Sequence, residues 1–489
     1  MWCINPGPKI FVTTLYQILA PRTTKFQSYF YSIVAIFLLI SDQLIPTPMR
    51  TKLTNPKTHL LRYGIREIVE TMQKLKEFDP STNFVMENIG DPIMKSWLVP
   101  KFLKDIIIEE VNKPGDAVFG YSHSRGLIET RKWVVEYAKR FSPKSEVNYE
   151  DVLFTNGLGA SISAFYQMLP EGARIIQPTP SYPTHTSFES FTANAEPILY
   201  KLDPDNNWQP DMADLEAQIV AHPDVAAILI INPNNPTGAI YSKETLEKMV
   251  ELAETYKLFL ISDEVYFRMV FNGAVFTQIT DIAHNRVPLV IMRGLSKDIP
   301  WPGGRCGWME FHNADLDPEF RSFVEGVKKR ILLEICAGTL PQKILPALYQ
   351  HPDFEAWNKQ YNSELEKFAN NIYDVLKNTK GLKVNKIYGA FYMMPLFEKG
   401  VLNQKQSLPI ANDAARAYIE SEVNKPGFPL DKRFCYYLLA AIGICVVPAS
   451  GFFSPYEGFR LTTLDRDETR ARDTYARLSA AVEQYIASA

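Results

Sequence analysis

Residues 226–238 read Ala226-Ala227-Ile228-Leu229-Ile230-Ile231 and then Asn232-Pro233-Asn234-Asn235-Pro236-Thr237-Gly238. Six apolar residues without alternation describe a strand covered on both faces, as in a parallel sheet flanked by helices. The proline- and asparagine-rich turn that follows sets Asn235 at the strand's carboxyl end. The pattern recurs along the chain. Residues 258–261 precede Ser262-Asp263-Glu264-Val265-Tyr266, and residues 289–292 precede Gly294-Leu295-Ser296-Lys297. Residues 152–154 and 175–176 are further runs of the same kind. Between two of these runs, Ser242 caps a helix with Leu246, Met249, Val250, Ala253 and Tyr256 on one face. Strand, crossover helix and strand at this spacing predict an α/β unit whose mostly parallel sheet is sandwiched by helices.

Beyond Lys297 the character changes. Long helices are expected over 321–335 and 358–378, then a short strand pair formed by 382–384 and 391–394. Two more helices, a strand at 459–461 and a last helix over 467–486 complete an α+β segment, which residues 49–93 are expected to join. The expected organisation is therefore an extension at 1–48 outside the fold, a large domain at 94–337, and a smaller domain from 49–93 and 338–489.

Bulk properties exclude several classes. With 489 residues, 46% apolar and 22% charged, the chain can bury a large core. Its net charge of −3 gives no reason to expect nucleic acid or an anionic membrane as partner. The five cysteines are odd in number and scattered, so neither a disulfide framework nor a metal site is expected, and a reducing, cytoplasmic setting is favoured. Residues 29–40 form an apolar run, shorter than the roughly 20 residues a membrane span needs. The expected reading is an extension upstream of Met49; a signal or anchor within 22–41 is the alternative, although no small-residue cleavage site follows.

Three predicted strand ends carry chemically useful groups. Lys297, after a tight turn, can act as a nucleophilic amine. Arg305, in Pro302-Gly303-Gly304-Arg305, can grip a phosphate with two parallel donors. Asp263 can keep a ring nitrogen protonated, and Tyr266 brings a phenol to the same space. Asp263-Glu264 opening a helix is the plainer alternative. Gly157-Leu158-Gly159-Ala160 joins a strand to a helix and can bring backbone N–H groups to a phosphate, or can be a simple tight connection. Tyr182, in Pro180-Ser181-Tyr182-Pro183, can stack on a flat ring or fill a core. An amine, an acid, two oxygen-binding donors and a phosphate clamp are the partners that pyridoxal 5′-phosphate (PLP) demands.

In this order and spacing, the Asn232–Gly238 turn, Ser262-Asp263-Glu264-Val265-Tyr266 and the Ser296-Lys297…Arg305 pair resemble the class I/II aminotransferases. These are the fold-type I group of PLP enzymes, and the resemblance runs from about residue 60 to 487. It implies that Lys297 attaches the cofactor and moves the proton at the substrate Cα, and that Asp263 pairs with the ring nitrogen. Asn235 and Tyr266 would bind the ring oxygen and Tyr182 would stack on the ring. Arg305, with the amides of Gly159 and Ala160, would hold the phosphate. Phe459-Arg460-Leu461 fits the motif whose arginine pairs with the substrate α-carboxylate, and Asn88-Ile89-Gly90-Asp91-Pro92 the one whose glycine borders it, with Asn235 alongside. Tyr121 resembles the tyrosine that crosses to the partner subunit's cofactor in a homodimer. One position departs: where many relatives carry a phosphate-binding hydroxyl three residues before the lysine, this chain has Gly294. The implied activity is amino transfer between an amino acid and a 2-oxo acid. A lyase of the same fold, resembling aminocyclopropane-carboxylate synthases or carbon–sulfur lyases, is the alternative. A fusion to a DNA-binding domain is not expected, because residues 1–60 are too short and too weakly basic. Arg125 and His123 are candidates for contact with the substrate side chain, and Tyr63 for closing over the substrate.

Overall fold

The five continuous apolar runs between residues 152 and 292 all become strands of one eight-stranded sheet. The computed structural model describes residues 51–489, so the reading of 1–48 as an extension lies outside the described residues. The sheet order is Val152–Thr155, Gly307–His312, Leu289–Gly294, Phe259–Asp263, Val225–Ile231, Arg174–Thr179, Leu199–Asp203, Gln209–Pro210. Of these eight, Gly307–His312 and Gln209–Pro210 run against the rest.

The absence of alternation has its expected cause. Ile228, Ile230, Leu260, Leu289 and Ile291 pack on one face with Leu246, Met249 and Val250 of helix Lys243–Tyr256. Ala227, Leu229, Ile231, Ile261 and Val290 pack on the other with Ile162, Phe165, Val324 and Val327. Both faces are dry, so both residue parities must be apolar. Ser242 caps helix Lys243–Tyr256 by accepting from the Thr245 N–H at 3.1 Å.

Three strands of this sheet escaped the sequence reading. Leu199–Asp203 and Gln209–Pro210 are at one edge, where burial alternates or the strand is very short. Gly307–His312 is fully buried yet carries Glu310 and His312, which hide its strand character. Asp263-Glu264 does not open a helix; a turn follows, and the Glu264 N–H donates to Met292 O at 2.9 Å.

The smaller layer gathers both ends of the described chain. Helices Gly64–Phe78, Phe354–Leu376, Leu430–Ile442 and Glu468–Ala487 share a core that includes Ile68, Leu75, Leu365, Phe434, Leu439, Tyr475 and Val482. Val85–Met86 pairs in parallel with Ile444–Cys445. The expected pairing of 382–384 with 391–394 is corrected: Leu382–Lys383 pairs with Leu396–Phe397, and Tyr392–Met393 pairs with Phe459–Thr462. Sequence proximity favoured a hairpin, but Phe391, Tyr392 and Met393 are buried in this core, and that burial directs the strand to Phe459–Thr462. Trp97 also packs there and donates to Leu464 O at 2.7 Å, whereas Ile344, Leu345 and Leu348 of helix Thr339–Tyr349 pack with Phe154 and Trp308 of the large sheet. No helix among the described residues is long and apolar enough to cross a membrane.

Beneath the sheet's carboxyl edge lies a buried charge cluster. Arg293 donates to Glu264 Oε2 at 2.7 Å and to Glu310 Oε1 at 3.4 Å, and its guanidinium lies 4.7 Å from the Phe267 ring centre. Glu310 also accepts from Trp308 Nε1 at 2.8 Å and faces His312 Nε2 at 3.2 Å. The cluster pins three adjacent strands in register. Replacing Arg293 with Met keeps the apolar stem but strands two buried carboxylates. The expected loss is about 3–5 kcal/mol of stability, read from urea unfolding. A loss below about 1 kcal/mol, the range of an exposed pair, would show that the cluster does not hold the strands.

Candidate active site

Five strands deliver their next residues to one cleft of about 390 Å³. Gly90, Gly159, Tyr182, Asn235, Asp263, Tyr266, Lys297, Arg305 and Arg460 all line it. Parallel strands put their carboxyl ends on the same side, and that edge is where an α/β sheet leaves its crevice.

Each group is held by its local sequence. In the 232–238 turn, Asn234 Oδ1 accepts from the Thr237 N–H at 3.2 Å and its hydroxyl at 2.8 Å, while Asn232 Oδ1 accepts from the Tyr241 N–H at 3.1 Å. Those two asparagines shape the loop, and the third, Asn235, is left to face the cleft. Its Oδ1 accepts from Arg460 Nη1 at 3.1 Å, which leaves its Nδ2 to donate elsewhere. Asp263 is buried at 3% exposure. Its Oδ1 accepts from the Val265 N–H at 3.2 Å, and its Oδ2 lies 3.1 Å from His185 Nε2. His185 is itself held through Nδ1, 3.3 Å from the Tyr166 hydroxyl. Lys297 Nζ donates to Gly90 O at 2.6 Å, so the amine joins the large sheet to the 88–90 segment. Asp298, next in the chain, accepts from the Tyr349 hydroxyl at 2.7 Å, and burial pushes its carboxyl up to about 6.

Arg460 carries the largest electrostatic demand. It is 1% exposed, lies between the Tyr392 and Phe452 rings at 4.3 and 4.8 Å, and also donates to Asn88 O. Its Nε is buried without a partner, and no carboxylate among the described residues pairs with it. Burial pulls its pKa below the ordinary guanidinium value, against the phenols of Tyr392 and Tyr266. A buried cation left this way calls for an anion from outside the chain. Burial, with Tyr392 beside it, keeps the Tyr266 hydroxyl protonated well above its usual range; the two hydroxyls are 3.3 Å apart.

Arg305 also lines the cleft, donating to Pro302 O and Asn156 O at 3.2 and 3.3 Å. Gly157 makes room for it: its φ is +84°, and a Cβ there would sit 2.4 Å from Arg305 Nη2. The Gly294 departure is spatial as well, since a Cβ would fall 2.8 Å from Cys306 O. Ser296 lines the cleft instead.

The remaining sequence candidates stand elsewhere. Ala160 does not line the cleft, and its N–H donates to Gly157 O at 3.0 Å. Tyr121 is 85% exposed and outside it. Arg125 is also outside and pairs with Glu150 at 2.8 Å, and His123 keeps it company, its Nδ1 accepting from the Arg125 N–H at 3.2 Å. Tyr63 does reach the cleft, its hydroxyl 3.4 Å from that of Tyr182. His185 and Tyr392 were missed. A histidine two residues after a proline turn, or a tyrosine between apolar neighbours, gives no local sign of the strand end it will meet.

The donor set fits PLP. A buried carboxylate with no cation beside it but a histidine suits a ring nitrogen, the glycine-relieved Arg305 suits a phosphate, and Lys297 suits covalent attachment.

The chain is similar to known proteins over most of its length. Residues 98–471 match the family described as aminotransferase class I and II. An uncharacterised aminotransferase of Methanocaldococcus jannaschii is 40% identical over 438 residues, 90% of this chain and 100% of its own. The glutamate–pyruvate aminotransferase AlaA of Haemophilus influenzae is 31% identical over 350 residues, covering 70% of this chain and 82% of its own. The solved alanine aminotransferase from Pyrococcus furiosus superposes with a TM-score of 0.74 at 28% identity, covering 87% of this chain and 99% of that one. These names favour amino transfer over the lyase alternative. The buried guanidinium that lacks an anion, the amine in the same cleft and these relatives agree: the chain belongs to the class I and II aminotransferases and moves an amino group between an amino acid and a 2-oxo acid.

Proposed function

We propose that this protein is a PLP-dependent alanine-type aminotransferase, a homodimer of the cytoplasm. The observation that carries the reading is Arg460, a buried guanidinium without an anion, lining the same cleft as the Lys297 amine. When bound, PLP supplies an electron-withdrawing ring that eases loss of the substrate Cα proton. The chain's residues do the rest. Lys297 would attach the cofactor, and its Nζ would take and return the proton at the substrate Cα. Asp263, oriented by His185, would keep the ring nitrogen protonated. Asn235 Nδ2 and the Tyr266 hydroxyl would donate to the ring oxygen, and Tyr182 would lie against the ring. Arg305 and the Gly159 amide would hold the phosphate. Arg460 and Asn235 orient the substrate carboxylate, with Gly90 at its border, so that the Cα–H faces Lys297.

The substrate class follows the relatives' names. The dimer is supported by large apolar side chains left exposed along residues 94–121: Met94 at 62%, Leu98 at 70% and Phe119 at 68%. The resemblance gives Tyr121, in the same stretch, to the partner's cofactor. Light scattering is expected to give a dimer, and an active monomer would refute the shared site.

Two substitutions test the roles. Arg460→Lys keeps the charge and loses the two-donor fork, so kcat/KM for alanine is expected to fall roughly 10- to 150-fold, about 1.5–3 kcal/mol, with PLP retained. Unchanged kcat/KM would remove Arg460 from substrate binding. Asp263→Asn is expected to take up PLP yet lose most turnover, because a neutral amide cannot stabilise a protonated ring nitrogen. Near-normal turnover would assign that task to a different residue.

A further inference from the structure

The Tyr266 hydroxyl has one proton and two claims on it. The reading above gives that proton to the ring oxygen, whereas in the structure Tyr266 donates to the Tyr392 hydroxyl at 3.3 Å. Tyr392 lines the cleft with its ring against Arg460, and its hydroxyl has no task in that reading. The hydroxyl accepts from Tyr266 and donates to no protein atom among the described residues. Both tyrosines are only 3% exposed, and their rings meet edge to face at 5.9 Å. A buried phenol whose proton finds no acceptor carries a desolvation cost.

The place of that hydroxyl is fixed from several sides. Gly90 makes room for it: a Cβ there would overlap the Tyr392 hydroxyl and sit 2.8 Å from the Phe391 ring. The Tyr388 and Gly389 N–H groups donate to Gly238 O at 2.9 and 3.1 Å, in the turn that carries Asn235. The Ala390 N–H donates to Met269 O at 3.1 Å, and the Met269 N–H donates to Tyr266 O at 2.8 Å. Strand Tyr392–Met393 then pairs with Phe459–Thr462, which carries Arg460. One residue is thus held in register with both ring-oxygen donors and with the carboxylate-binding arginine. The other titratable groups around the two phenols are Tyr63, Tyr182, Asp263 and Arg460, with Lys297 in the same cleft. The guanidinium beside Tyr392 cannot accept its proton; the Tyr266 oxygen can.

We propose that Tyr392 is a positioning residue for the ring oxygen of the cofactor: with PLP bound, the Tyr266 proton turns to that oxygen and the Tyr392 hydroxyl donates to the Tyr266 oxygen. The inference rests on the PLP reading and adds a residue to it. A hydroxyl that accepts a hydrogen bond gives its own proton more strongly, because bonds in series polarise one another. Negative charge on the ring oxygen is then stabilised more than Tyr266 and Asn235 could manage without a second phenol behind them. Neither phenol loses its proton in this arrangement; each only turns it.

The test compares Tyr392→Phe, Tyr266→Phe and the double variant as full-length, PLP-loaded proteins. Tyr392→Phe keeps the ring against Arg460 and removes one oxygen. The readout is the pH midpoint of the visible absorption change. At low pH the attached Lys297 Nζ shares a proton with the ring oxygen, and when that proton leaves, the oxygen's charge falls to the chain's donors. Weaker donors make the proton harder to lose, so the midpoint rises. Tyr392→Phe is expected to raise it by about 0.4–1 pH unit, the equivalent of one neutral hydrogen bond. Tyr266→Phe is expected to raise it further, and the double variant to match Tyr266→Phe, since Tyr392 acts through Tyr266. An unchanged midpoint in Tyr392→Phe overturns the assignment, and with a raised KM for alanine it would give the hydroxyl to the substrate instead. Shifts that add in the double variant overturn it as well. A wild type that forms no visible band with PLP overturns the PLP reading and this inference with it.

Discussion

Arg293, buried between Glu264 and Glu310, is the interaction on which the site's geometry depends. Glu264 follows Asp263, and Arg293 lies four residues before Lys297, so one guanidinium couples the acid and the amine through their strand ends. Glu310, on the antiparallel neighbour, closes the cluster from the other side. Burial raises the Glu264 carboxyl, and Arg293 opposes that rise by charge and hydrogen bonding. Such a cluster gains little as net stability, since desolvation offsets attraction, but breaking it exposes two buried charges to an apolar core. Its consequence is positional: the register of three strands, and with it the separation of the groups above, is fixed.

Above that base the cleft sorts its charges by burial. Arg460 is deepest and packed between aromatic rings, suited to a carboxylate that must be held rigidly beside the reacting carbon. Arg305 is exposed, as suits a group that meets a phosphate. Lys297 is intermediate, tethered to Gly90 O, and so connects the sheet to the segment that also meets Arg460 through Asn88 O. The two layers of the protein thus touch at the place where substrate must bind.

Much of this was legible from the sequence because it depends on local pattern. A continuous apolar run says that both faces are covered, and a parallel sheet then fixes which end faces the crevice; Asn235, Asp263 and Lys297 follow directly. Gly307–His312 was not legible, because the burial of Glu310 depends on Arg293, seventeen residues away and on another strand. His185 was unreadable for the same reason: what it does is set by Asp263 and Tyr166, its partners across the fold. The strand at Tyr392–Met393 was misjudged because nearness in sequence competes with burial, and burial decided the pairing with Phe459–Thr462.

The central claim is that Lys297 is the amine that attaches PLP in this cleft. Borohydride reduction of the PLP-loaded protein, followed by proteolysis and mass mapping of the modified peptide, tests it most directly. The account predicts a single pyridoxyl label on Lys297. A label on another lysine, or no stable label with the protein folded and PLP present, would contradict it.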